Sequence, residues 1–170
     1  VYYQEKGQEQ SGWELNHSIP WKKYTTETIS ASDNEERITL PYWSDKTILI
    51  AEDEEANMAY LEAILKPTKA NLKKAYDGTD CLMIINKSPD ISAILMDLKM
   101  PGKDGYETFK EVRKINPDIP VIAQTAYAMT GDKNKALQMG FDGYLVKPID
   151  KNELFTELTR FLNGEQSAKQ

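Results

Sequence analysis

Five short oily runs punctuate the chain after residue 44, and longer amphipathic segments separate them. The runs are KTILIA (46–51), NLKKAY (71–76), ISAILMD (91–97), IPVIAQTA (119–126) and GYLVKP (143–148). Short β-branched runs bounded by turn residues predict strands, the second of them weaker and edge-like. Between them, residues 54–66 place Met58, Leu61 and Leu65 at helical spacing, with Pro67 closing the helix. A short helix through Leu82 and Ile85 leads to Pro89. Asp104 is positioned to cap a helix carrying Tyr106, Phe109 and Val112. Residues 128–140 predict a polar helix interrupted by Gly131. The last helix starts near Asp150, aligns Leu154, Leu158, Phe161 and Leu162, and ends at Asn163-Gly164. Strands that alternate with helices predict an α/β fold, with a parallel five-stranded sheet covered on both faces.

Residues 1–43 break this rhythm. They are polar, with scattered Trp and Tyr and no sustained period, and predict a tail or linker partly ordered against its neighbour. ERITLPY alternates briefly and predicts one strand stopped by Pro41. The expected organisation is a tail or linker over 1–43, one domain over 44–163 and a short tail over 164–170. A chain of this length holds one ordinary domain with an appendage and buries a real core. The formal charge of −6 argues against direct nucleic-acid contact, which needs clustered Lys and Arg. No segment approaches the roughly 18 apolar residues of a membrane helix, so no membrane contact is expected. Cys81 is the single cysteine, which excludes an internal disulfide and suits a reducing, cytoplasmic setting. The chain opens on Val1 without a signal peptide, and is expected to be a fragment whose parent is free to carry a membrane anchor.

In sheets of this kind, ligands bind at the carboxyl ends of the strands. The first strand delivers Glu52 and Asp53 there, the third Asp97, the fourth Thr125 and the fifth Lys147. Three like-charged carboxylates repel one another unless a cation joins them, and an all-oxygen set suits Mg²⁺ or Mn²⁺. Lys147 adds a positive charge and Thr125 a hydroxyl donor, a combination that suits a phosphoryl group. Asp97 is best placed to be the nucleophile itself, because aspartate forms acyl phosphates. Each residue also has a plainer reading. Asp97 alone would be a solvated strand end, Glu52-Asp53 a helix-start acidic pair, and Lys147 a surface lysine. Their arrival at one sheet edge is what favours a site.

ILIAEDEEAN, ILMDLKMPGKDGYE, VIAQTAYA and GFDGYLVKPID, in that order, resemble the response-regulator receiver domain of two-component signalling. The likeness covers about residues 44–163 and is closest to receivers at the C-terminus of hybrid sensor histidine kinases. It implies a flavodoxin-like, doubly wound sheet of order 2-1-3-4-5. By resemblance, Asp97 is the phospho-acceptor. Glu52, Asp53 and Asp97 are the Mg²⁺ carboxylates, with the main-chain carbonyl of Lys99 as a further ligand. Thr125 and Lys147 contact the phosphoryl group, and Tyr144 is the aromatic switch. Lys147-Pro148 matches a bond that is usually cis in the family. Lys103 departs from the family's usual methionine, a change expected to alter loop packing more than chemistry.

The resemblance also implies partners: a histidine kinase or histidine phosphotransfer protein, a same-chain kinase domain, and a second copy through the 128–163 face. His17 lies outside any kinase-like box and is expected to be a solvated tail residue. ITLPYW resembles the end of a kinase ATP-binding domain, and no output domain is expected after Gly164. A stand-alone single-domain regulator is the alternative. A haloacid-dehalogenase-type phosphatase would want a second aspartate where Lys99 stands. A flavodoxin-type binder would want a Ser/Thr/Gly-rich loop where EDEEAN stands.

Overall fold

A computed structural model describes residues 40–126 and 130–163. The strands are β1 (Thr47–Ala51), β2 (Asn71–Ala75), β3 (Ile91–Asp97), β4 (Val121–Thr125) and β5 (Gly143–Val146). The helices are α1 (Glu55–Leu65), α2 (Gly78–Lys87), α3 (Gly105–Ile115), α4 (Thr130–Gln138) and α5 (Lys151–Leu162). All strand pairs are parallel, in the order β2-β1-β3-β4-β5. The α/β class and the strand order are those expected from the sequence.

Alternation along the strands feeds two separate cores. Leu49, Ala51, Ile94, Met96, Val121 and Ala123 face one side, where Cys81, Ile85, Phe109, Val112, Ala136 and Phe141 cover them. Ile48, Ile50, Ala93, Leu95, Ile122 and Leu145 face the other, against Met58, Leu61 and Leu65 of α1 and Leu154, Phe155, Leu158 and Leu162 of α5. On α5, Phe155 takes the buried place expected for Phe161, which is half-buried. α1 stops at Leu65, and a single 3₁₀ turn, Lys66–Thr68, carries the chain through Pro67. Aspartates cap three helices: Asp77 accepts from the Asp80 N–H, Asp104 from Glu107, and Asp150 from Asn152 and Glu153.

Residues 40–42 form no strand, and the rest of the expected ERITLPY strand lies outside the described residues. Trp43 is 2% exposed and packs in the α1–α5 core with its ring 6.1 Å from that of Phe155. Its indole N–H donates to Asn163 Oδ1 at 3.3 Å, and its backbone N–H to the Thr68 carbonyl at 2.7 Å. Arg113 ties α3 to the turn before β5 through Asp142, and to the loop before β4 through the Ile119 carbonyl.

Gln124 sits in β4 with 0% exposure, and neither its side-chain oxygen nor its nitrogen finds a partner among the described residues. Such an amide gives up its water bonds without replacement, a cost of about 1–3 kcal/mol. Gln124→Leu is therefore expected to raise stability by about 1–2 kcal/mol, read as a higher urea midpoint at unchanged slope. A lowered midpoint would show that the amide is satisfied in solution.

Candidate functional site

The C-terminal sheet edge positions each charged group through backbone that prolongs the strands. Glu52 follows β1 directly, and its N–H continues the ladder to the Ala75 carbonyl at 3.0 Å. Asp97 is the last residue of β3, and the next N–H, of Leu98, bonds the Gln124 carbonyl at 3.0 Å. Lys147 follows β5, with its N–H on the Thr125 carbonyl at 2.7 Å, and precedes a cis bond to Pro148.

Those anchors bring the side chains together. Lys147 Nζ donates to Glu52 Oε1 at 2.9 Å and Oε2 at 2.7 Å, and to Asp97 Oδ2 at 2.5 Å. The other Asp97 oxygen accepts from the Lys99 backbone N–H at 2.8 Å. Glu52 is 0% and Asp97 6% exposed, whereas Asp53 faces solvent. One oxygen from each of Glu52, Asp53 and Asp97 lies within 4.8 Å of the others. They open onto a cleft of about 500 Å³, also lined by Lys99, Ala126 and Lys147, with Glu54 and Asn57 on its α1 side.

Burial pushes the Glu52 carboxyl above the ordinary glutamate range, and the Lys147 and Asn57 hydrogen bonds only partly offset it. For Lys147, burial alone works against the charged form, but the bonds to Asp97 and Glu52 together outweigh it and raise its pKa. Along the cleft lining, Lys99 and Lys147 stand against Glu52, Asp53, Glu54 and Asp97, so an excess of negative charge remains. Hard, all-oxygen donors fit a divalent cation such as Mg²⁺ better than a soft metal. Cys81 contributes nothing here: it lies on the buried face of α2, and burial, with Asp80 and Asp77 nearby, pushes its thiol up to about 12.

Of the residues expected from sequence, Glu52, Asp53, Asp97, Lys99 and Lys147 line this one cleft. Thr125 is buried at the end of β4, one residue before the cleft-lining Ala126. Tyr144 is half-buried on β5 and packs against the core under α2, α3 and α4. Lys103 pairs with Glu111 at 2.6 Å and is not among the residues lining the cleft. His17 lies outside the described residues. Asn57 was not singled out by sequence reasoning, although its amide donates to Glu52 Oε1 at 2.9 Å. Its only signal was its place in the EDEEAN segment.

Among the described residues, no helix is long and apolar enough to cross a membrane. A family model for the response regulator receiver domain matches residues 48–159. Hybrid signal transduction histidine kinase I of Dictyostelium discoideum is 33% identical over 133 residues, covering 71% of this chain and 8% of that protein. The transcriptional regulatory protein ZraR of Salmonella typhimurium is 32% identical over 115 residues, 68% of this chain and 26% of that protein. The chain thus spans only a small part of either relative. Among solved structures, the Saccharomyces cerevisiae receiver domain of Ssk1, crystallised with the histidine phosphotransfer protein Ypd1, is similar with a TM-score of 0.67. It is 27% identical, with 76% of this chain and 95% of that one covered.

Proposed function

The chain belongs to the response regulator receiver family of two-component signalling, and from that premise we propose that Asp97 accepts a phosphoryl group from a phosphohistidine in a Mg²⁺-dependent step. The observation that carries this reading is the Lys147 bridge between the buried Glu52 and Asp97 carboxylates, beside Asp53, on an open cleft.

A carboxylate oxygen of Asp97 attacks phosphorus, the bond to the donor imidazole nitrogen breaks, and an acyl phosphate forms that water later hydrolyses. Lys147, already at the nucleophile, neutralises charge that gathers on the phosphoryl oxygens. The Thr125 hydroxyl offers a further hydrogen bond to them. A bound Mg²⁺ (or Mn²⁺) would supply the remaining charge neutralisation. It would be held by Glu52, Asp53, Asp97 and the main-chain carbonyl of Lys99. Thr125 and Tyr144 act as the switch, and the face of α4, β5 and α5 changes with phosphorylation and serves homodimer contact. The donor is a histidine kinase or histidine phosphotransfer protein. The Dictyostelium relative supports a hybrid kinase parent. The proposal adds a kinase domain on the same chain, residues 1–43 as tail or linker, a receiver over 44–163 and a cytoplasmic setting.

Incubation with acetyl phosphate or phosphoramidate and Mg²⁺ is expected to add one phosphoryl group by intact mass, and chelation by EDTA to prevent it. The modified protein should also show altered amide exchange across α4, β5 and α5. No uptake with Mg²⁺ present would overturn the reading. Uptake undiminished by EDTA would remove the metal from it, and identical exchange would remove the switch.

A further inference from the structure

We infer, resting on the metal-dependent reading above, that Asn57 is a positioning residue whose side-chain amide holds the Glu52 carboxylate in the orientation from which it would ligate a divalent cation. Glu52 needs such a holder for a reason in its covalent structure. Glutamate has one methylene and one rotatable bond more than aspartate, so its carboxylate samples more positions and loses more freedom when fixed. In the folded protein this carboxylate is fully buried, with Lys147 on both oxygens and Asn57 Nδ2 on Oε1 at 2.9 Å.

The two donors differ in what a cation does to them. Lys147 is positively charged and shared with Asp97, so a cation among the carboxylates repels it and competes for the same oxygens. Asn57 is neutral and remains a donor to Glu52 when the ammonium moves away. Such outer partners of metal ligands fix ligand orientation, and their loss costs about 10–100-fold in metal affinity. The amide is itself held in place. Asn57 Nδ2 also donates to Glu54 Oε2 at 2.8 Å, so both N–H groups are committed to carboxylates. With the amide turned over, its oxygen would face two anions. α1 makes this possible by starting at Glu55, which places Asn57 in its first turn beside the end of β1.

The test is Mg²⁺ titration by calorimetry into the metal-free full chain, as wild type, Asn57→Ala and Glu54→Ala. Alanine is a stronger helix former than asparagine, so Asn57→Ala keeps the fold, checked by its thermal midpoint. Its Kd for Mg²⁺ should rise about 10-fold, whereas Glu54→Ala, which removes one of the amide's two acceptors and leaves its bond to Glu52, should raise it by less. With phosphoramidate, the Mg²⁺ concentration giving half the maximal uptake rate should rise by the same factor in Asn57→Ala. The rate at saturating Mg²⁺ should not change, a split that a general structural defect would not give. Unaltered Mg²⁺ affinity in Asn57→Ala, or an equal loss in Glu54→Ala, would overturn the inference while leaving the proposed function standing. A wild type that neither binds Mg²⁺ nor takes up phosphoryl would overturn both.

Discussion

Exchange of Asp97 for asparagine is expected to abolish phosphoryl uptake while leaving the fold at least as stable as before. The near-isosteric amide lacks the carboxylate oxygen that would bond to phosphorus, so uptake should fall below detection and not merely slow. Breaking a buried ion pair usually destabilises, because it strands the remaining charge. Here Lys147 is not stranded, since it keeps both bonds to Glu52 at 2.9 and 2.7 Å. The asparagine oxygen can still accept either from the Lys99 N–H that now bonds Asp97 Oδ1 or from Lys147, which now bonds Oδ2. Removing one of three crowded carboxylates also relieves repulsion among those left. Intact mass after donor treatment, beside a thermal scan, separates lost chemistry from lost structure. Uptake at the wild-type level in this variant would move the acceptor elsewhere.

Gly105→Ala should cost about 3 kcal/mol and lower the thermal midpoint by roughly 10 °C. A Cβ at this position would lie 2.2 Å from the Asp97 carbonyl oxygen and 2.7 Å from Leu98 Cα. Both are backbone atoms, so the strand end holding the acceptor must shift as a unit. Gly105 is also the first residue of α3, where alanine is otherwise the better helix former. A loss there isolates the steric term. Gly102 supplies the contrast: it has a φ of 74° with nothing within 4 Å of an added Cβ. Gly102→Ala meets only backbone strain, about 1 kcal/mol. Because the Gly105→Ala clash is with Asp97 itself, phosphoryl uptake should slow in that variant and not in Gly102→Ala. A Gly105→Ala midpoint equal to that of Gly102→Ala would contradict the close packing of α3 on the β3 end.

The sheet was legible because its central strands are short β-branched runs that end in turn residues, and both faces of β1, β3 and β4 are buried. The cluster of charged groups followed from the rule that parallel strands present their C-terminal ends on one edge. Glu52, Asp53, Asp97 and Lys147 could therefore be placed together before any distance was known. What was not legible depended on contacts far apart in sequence, or on shape. Trp43 sits in a polar stretch, and its partner Asn163 is 120 positions away. Asn57 carries no charge, and only the path of α1 past Glu52 gives its amide a role. Gly105 belongs to an Asp-Gly pair that signals a turn, while the reason for the glycine is the approach of the Asp97 carbonyl. Gln124 looked like an ordinary strand residue, and only burial exposes the missing partners.

Locating the phosphoryl group tests the acceptor role of Asp97 directly. After incubation with phosphoramidate and Mg²⁺, borohydride reduces an acyl phosphate of aspartate to homoserine, and peptide mass spectrometry reads the position. Homoserine is expected at position 97 and nowhere else. Homoserine at another aspartate, or none in protein that has taken up a phosphoryl group, would contradict that role.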